Sequence, residues 1–219
     1  MQPSFAPRSR LQLRVTHMPN QRAALQPTWW QVFMDVLLHR RVRITAIIFL
    51  ALIIEDLVTR VVPHNLFNIH DYKVLLGLAF IANGVGLRTW AAGTLKKRTH
   101  LATGGPYQLV RHPLYIGSFL MMLGFCFLVD DPENIWFVVG PILLLYVVRI
   151  LHEEKHLAEL FPDEWPAFAQ SVPRFFPRRL PTNLFADWST HQWMKNREYR
   201  LVGAAILGLI GIQLWHLIL

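Results

Sequence analysis

Tyr146, Arg149 and Glu153 stand near the end of an apolar run at spacing i, i+3, i+7, which puts all three on one face of a helix. An arginine a turn inside such a run, followed a turn later by a carboxylate, is costly against lipid and suits the wall of a polar cavity. The alternative at this spacing is an intrahelical Arg149–Glu153 pair that neutralises itself. His152 and Glu154 flank the stripe. A second polar group introduces another apolar run: in THLATGGPYQLVRHPLYIG, Gly104, Gly105 and Pro106 make a turn, and Tyr107, Arg111, His112 and Tyr115 follow closely. Such a turn exposes backbone N–H and C=O groups to a ligand. Metal chemistry fits these residues poorly. His112, His152, His156, Glu153 and Glu154 lack HExxH order, and a single HxxxH without a matched third ligand is a weak signal, so no metal is expected. The GVG at Gly84 to Gly86 has no preceding strand and no acidic residue about 20 positions on, so it suits close helix contact rather than a dinucleotide fold.

The elements that must position these groups are membrane helices. Of the 219 residues 53% are hydrophobic and 16% charged, with mean hydropathy +0.30, whereas soluble domains run to about a quarter charged. The net charge of +8 sits at the ends of apolar segments instead of along one polar face, which speaks for membrane topology and against a nucleic-acid partner. Apolar runs at Ile44 to Val62, Val74 to Ala92, Leu114 to Val129, Ile135 to Leu151 and Leu201 to Leu219 predict a polytopic all-α bundle of about five transmembrane helices. Pro113 suits the first turn of the third. Glu55 and Asp56 weaken the first span and are expected to reach water or to pair with Arg60. Twenty of the 22 lysines and arginines fall in residues 1–43, 88–111 and 149–200, so the amino terminus and the two large loops are expected in the cytoplasm. The acidic DDPEN connection, Asp130 to Asn134, then lies outside and makes the third and fourth spans a tight antiparallel pair. Trp29, Trp30, Phe33 and Leu37 among arginines predict an interfacial amphipathic helix within a 1–43 amino-terminal segment. No secretory signal, internal repeat or disulfide framework is expected, and the lone Cys126 reads as a packed or lipid-facing residue. Gly203, Ala204, Gly208 and Gly211 would let the last helix approach a neighbour closely.

The ordered series GGPYQLVRHPLYIG, RILHEEKHLAELF and VPRFFPRRLP resembles the isoprenylcysteine carboxyl methyltransferase family of integral membrane enzymes, which includes phospholipid N-methyltransferase relatives. The resemblance covers about residues 74–178. It implies a 44–179 core that binds S-adenosylmethionine on the cytoplasmic side, of the inner membrane in a bacterium, and releases S-adenosylhomocysteine. A lipophilic acceptor would reach the methyl group from the bilayer. By the same resemblance Tyr107, His112, Pro113, Leu114 and Tyr115 are cofactor contacts, and Thr99, His100, Leu101 and Ala102 form a second cofactor strip. Glu153 holds cofactor hydroxyl or amino groups with Glu154 beside it, and Arg149 faces the acceptor. The physical demands agree: a free amino-acid end needs a carboxylate for its ammonium and N–H donors, here His112 and the turn, for its carboxylate. An anionic acceptor suits Arg149 better than an amine, which would need a base.

The sequence departs from the family pattern where Pro162 replaces a glycine and Trp165 and Phe168 replace two tyrosines, which removes both phenolic hydroxyls. The 180–219 extension, with a further span, lies beyond where most relatives stop. Membrane sterol and lipid reductases that use NADPH are the alternative enzyme class, and a non-enzymatic scaffold explains the spans without explaining Arg149. The acceptor's identity and the oligomeric state stay open at this level.

Overall fold

The computed structural model describes residues 29–96, 100–178 and 188–219, with side chains from Arg43 onward. Among them every regular element is helical: α1 (Trp29–Val58), α2 (Tyr72–Thr94), α3 (Pro113–Val129), α4 (Pro132–Phe137), α5 (Leu143–Leu160), α6 (Trp165–Ser171), α7 (Thr190–Lys195) and α8 (Tyr199–Ile218). Three helical stretches, Tyr72–Thr94, Pro132–Leu160 and Tyr199–Ile218, are long and apolar enough to cross a membrane, and Pro113–Val129 is apolar but shorter.

Several boundaries differ from the sequence reading, each for a local reason. The residues read as an interfacial helix and those read as a first span form one continuous α1, because nothing between Trp29 and Val58 breaks the helical ladder. That helix stops at Val58 rather than Val62, and Arg60 turns the chain with a left-handed φ of 58°. The fourth span is a rod from Pro132 to Leu160, in which the π-helical turn Val138–Ile142 absorbs Pro141. A proline inside a helix removes one ladder bond and crowds the preceding turn, and the wider turn accommodates both. Pro113 opens α3 as expected.

The centre of the bundle is α2 against α3, and glycines set the distance. A Cβ on Gly84 would lie 2.6 Å from the Gly117 carbonyl oxygen, and one on Gly117 would lie 2.7 Å from the Gly84 carbonyl oxygen. One turn-pair further along, Gly77 and Gly124 face each other in the same way, at 2.9 and 2.6 Å. Only hydrogen fits at these four positions, so the two backbones touch. Gly84 therefore meets the close-contact expectation, whereas Gly86 has open space around it. In α8 only Gly208 meets a neighbour within 4 Å, the Phe125 ring; Gly203 and Gly211 do not. Val74, Ile81, Leu128, Val129 and Ile212 form a core joining α2, α3 and α8. Met122, buried Cys126, Val138 and Ile142 form another between α3 and the bent rod. That second core makes α3 and the rod the antiparallel pair anticipated from DDPEN, with Asp130 closing α3 in a left-handed turn (φ 64°) and Asp131 capping α4.

Asp56 corrects one expectation. It is 1% exposed instead of reaching water, and it accepts a hydrogen bond from Asn134 Nδ2 at 2.9 Å instead of pairing with Arg60. Glu55 is exposed. The helix turns adjacent side chains about 100° apart, so one carboxylate faces the bundle while its neighbour faces out.

Candidate functional site

The segment Gly105–Gln108 winds as a short 3₁₀ turn, and Gly105 enters it at φ 54°, a conformation that glycine alone adopts without strain. This turn buries Tyr107 and delivers the chain to His112, which precedes α3. Arg111 then fixes the VPR segment against the turn. Its backbone N–H donates to Pro173 O at 2.9 Å, its Nε donates to Val172 O at 2.7 Å, and its Nη2 donates to Ala169 O.

Glu154 is the hub of this corner. Its carboxylate accepts from Arg111 Nη1 at 2.9 Å, from Arg174 Nη2 at 2.6 Å and from His112 Nε2 at 3.2 Å. Two guanidinium groups keep Glu154 ionised and acceptor-only, so His112 must carry its proton on Nε2. Burial of the His112 ring lowers its pKa, outweighing the bond to Glu154 that raises it. His112 is therefore neutral at pH 7, with Nδ1 as a lone-pair acceptor. Burial likewise pushes the Tyr107 hydroxyl far above its usual range, which keeps it protonated.

These elements surround a cavity of about 1100 Å³. Its wall includes His100, Leu101 and Ala102 from the strip before the turn, then Tyr107, His112, Pro113, Leu114 and Tyr115. Tyr146, Arg149 and Glu153 line it from α5, so the helical stripe does face one space. Glu153 accepts a hydrogen bond from Tyr115 Oη at 2.7 Å, which joins α3 to α5 across the cavity rim. Tyr115 packs edge-on against Tyr146 at 5.5 Å and against His112 at 5.9 Å. Arg149 makes no ion pair with Glu153, and its Nε is buried without a hydrogen-bond partner among the described residues. Glu154, expected beside Glu153, lies behind the wall and not in it. Thr99, the first residue of the expected strip, lies outside the described residues.

Residues outside the helical stripe and the turn complete the wall. Arg88 of α2 grips Glu198, just ahead of α8, with Nε to Oε1 at 2.6 Å and Nη2 to Oε2 at 3.1 Å. Its Nη1 donates to Leu114 O at 3.0 Å and to Ser118 Oγ. The argument applied to Arg149 fits Arg88 equally: an arginine inside an apolar run needs a partner. Trp165 and Phe168, the two departures from the family pattern, are buried with Leu101 and Val172 and line the cavity as apolar bulk. Asn196 Nδ2 caps the end of α2 by donating to Ala92 O at 2.7 Å and Leu95 O at 2.9 Å, which seats the segment leading to α8 beside the site.

Comparison with known proteins agrees with this picture. Residues 72–164 match the family described as phospholipid methyltransferase, so the resemblance read from the motifs holds over that segment. The cobalt-zinc-cadmium resistance protein CzcN of Cupriavidus metallidurans is 32% identical over 119 residues, 53% of this chain and 53% of that protein. Protein-S-isoprenylcysteine O-methyltransferase B of Arabidopsis thaliana is 30% identical over 77 residues, 35% of this chain and 39% of that one. Protein-S-isoprenylcysteine O-methyltransferase of Schizosaccharomyces pombe is 28% identical over 105 residues, 48% of this chain and 44% of that one. The chain thus spans about half the length of the curated relatives it matches. No solved structure matches at a significant level.

Proposed function

Taking the match of residues 72–164 to the phospholipid methyltransferase family as the premise, we propose that the protein is an integral membrane methyltransferase. It uses S-adenosylmethionine, releases S-adenosylhomocysteine and methylates a lipophilic acceptor drawn from the bilayer. The observation that carries this reading is that Tyr107, His112, Tyr115, Arg149 and Glu153, from two separate motifs, line one cavity. The residues fit the cofactor. Glu153 offers a carboxylate to hydroxyl or ammonium groups, and Leu101, Pro113 and Trp165 offer apolar wall, while Arg149, whose Nε is buried without a partner among the described residues, is left for the acceptor. Pockets for one drug-sized ligand run to about 300–1,000 Å³, so a cavity of about 1100 Å³ has room for a nucleotide with part of an acceptor beside it.

When bound, S-adenosylmethionine supplies an electrophilic methyl group on a sulfonium. The chain has to bind, align and exclude water. Arg149 holds a fixed positive charge that steers an anionic acceptor to reacting distance and repels an ammonium. An acceptor that is already an anion needs no general base, which suits a wall in which His112 is neutral and tied to Glu154. Neutral His112 offers an acceptor at Nδ1, so the donor role expected of it falls to backbone N–H groups of the turn. The two plant and yeast relatives are named for an isoprenylcysteine acceptor, and a prenylated carboxylate has the charge and the grease that this wall favours. The basic residues flanking the cavity end support a cytoplasmic site, on the inner membrane in a bacterium.

The test is thermal stabilisation of the detergent-purified chain by S-adenosylmethionine, S-adenosylhomocysteine and NADPH in parallel. Both adenosyl ligands are expected to raise Tm. A rise with NADPH alone would replace this proposal with a membrane reductase.

A further inference from the structure

The opposite end of the bundle from the cavity gathers acid. Glu55 and Asp56 at the end of α1 meet Asp131 at the start of α4, and one carboxylate oxygen from each lies within 4.8 Å of the other two. Two bases of this end are engaged elsewhere. Lys73 binds Asp130, and His64 bridges Asp71 at 2.7 Å and Asp130 at 3.0 Å. Among the described residues no lysine, arginine or histidine pairs with Glu55, Asp56 or Asp131.

Two buried oxygens point to something missing from the cluster. Asp56 accepts from Asn134 through Oδ2, and its Oδ1 is buried with no partner. Asn134 is 4% exposed and gives its Nδ2 to Asp56, while its own Oδ1 is also buried with no partner. Asp131 is half used in the same way: Oδ1 accepts from Glu133 N–H at 2.8 Å, which leaves its second oxygen without an N–H donor. Buried acceptors without donors are rare in folded proteins and call for an explanation. Three carboxylates, one of them with a buried oxygen that has no donor, are the donor set of a cation.

We infer that Glu55, Asp56 and Asp131 form a binding site for a hard divalent cation of the calcium or manganese class, with Asn134 holding Asp56 in place through its Nδ2. The chemistry selects that class, since carboxylate oxygens with no thiolate or imidazole suit calcium, magnesium and manganese over zinc or copper. Exposed Glu55 opens the site to solvent, and water completes the shell. The cation ties the end of α1 to the α3–α4 turn, and it stabilises the fold because the three carboxylates converge only when folded.

The experiment uses the full chain in detergent, stripped with EDTA and dialysed into chelator-free buffer. Mn2+ binding is read by electron paramagnetic resonance, and Tm is read with Ca2+, Mn2+, Mg2+ or Zn2+ added. The expected result is saturable binding of one Mn2+, displaced by Ca2+, with a rise in Tm that Zn2+ does not match. Asp131→Asn and Asp56→Asn should each weaken Mn2+ binding at least tenfold. Glu55→Gln, at an exposed position that cannot disturb the core, should weaken it severalfold even if the buried variants fail to fold. Asp163→Asn, an exposed acid elsewhere, should bind as the parent chain does. Absence of Mn2+ binding by the stripped parent chain would overturn the inference. So would binding that Glu55→Gln leaves unchanged, or an Asp56→Asn chain with a higher Tm and intact Mn2+ binding, which would mean that the carboxylates share a proton instead.

Discussion

Glu153 and Glu154 are adjacent, yet the helix aims one at the cavity and the other at Arg111 and Arg174. Their removal should therefore give different losses. Glu153→Gln is expected to leave the fold intact and to weaken S-adenosylhomocysteine binding at least tenfold by titration calorimetry, about 1.4 kcal/mol. Glu154→Gln leaves half-buried Arg111 without its counter-charge and should lower stability by about 1–3 kcal/mol in a denaturant titration. Arg149→Ala should retain cofactor binding and lose turnover of an S-farnesylated cysteine analogue; normal turnover would remove Arg149 from the acceptor side. His112 gives a pH signature. Its folded pKa lies below the ordinary 6.5, so its contribution to stability is full above that value and is lost as pH falls through the lower folded pKa. Denaturation at pH 7.5 and 5.5 should show a smaller acid loss in His112→Gln than in the parent chain. The arginine-histidine and paired-glutamate motifs were legible as residues. Which glutamate faced the cavity was not, because one step of about 100° decides it and spacing alone does not fix the rotation of a helix.

Among the elements, α2 and α3 hold the site because Arg88 and Tyr115 extend from the helices that the glycines bring together. Gly84→Leu should separate them. A Cβ there already meets the Gly117 carbonyl oxygen at 2.6 Å, and backbone cannot step aside as a side chain can. A loss of about 1–3 kcal/mol or more is expected from overpacking, with weakened adenosyl-ligand binding as α3 shifts. Gly86→Leu, in open space, should do neither. Apolar runs located these helices to within a few residues. They missed the continuity of α1 and the length of the α4–α5 rod, because helices extend past the hydrocarbon core wherever the ladder is unbroken, and hydropathy records only the apolar part.

Across the whole molecule, two ends differ in chemistry. One carries the cavity, Arg88, Arg111, Arg149 and the basic loops; the other carries Glu55, Asp56, Asp71, Asp130 and Asp131. Because 20 of the 22 lysines and arginines fall in the sequence segments 1–43, 88–111 and 149–200, cysteine labelling of cells should tag Glu133→Cys from outside and Glu159→Cys only after permeabilisation. Cys126 is buried and needs no replacement. Equal labelling of both positions would undo the assigned topology. The sequence by itself determined the helical class, the apolar runs, the asymmetry of charge and the motifs of the methyltransferase resemblance, since each is a local property of composition or spacing. Only the tertiary structure decided that Arg88 reaches 110 positions along the chain to Glu198, that Arg111 and Arg174 converge on Glu154, and that Asp56 turns inward to Asn134. Those pairings depend on which helix faces meet, and a charge in the chain states that it needs a partner without saying which one it will find.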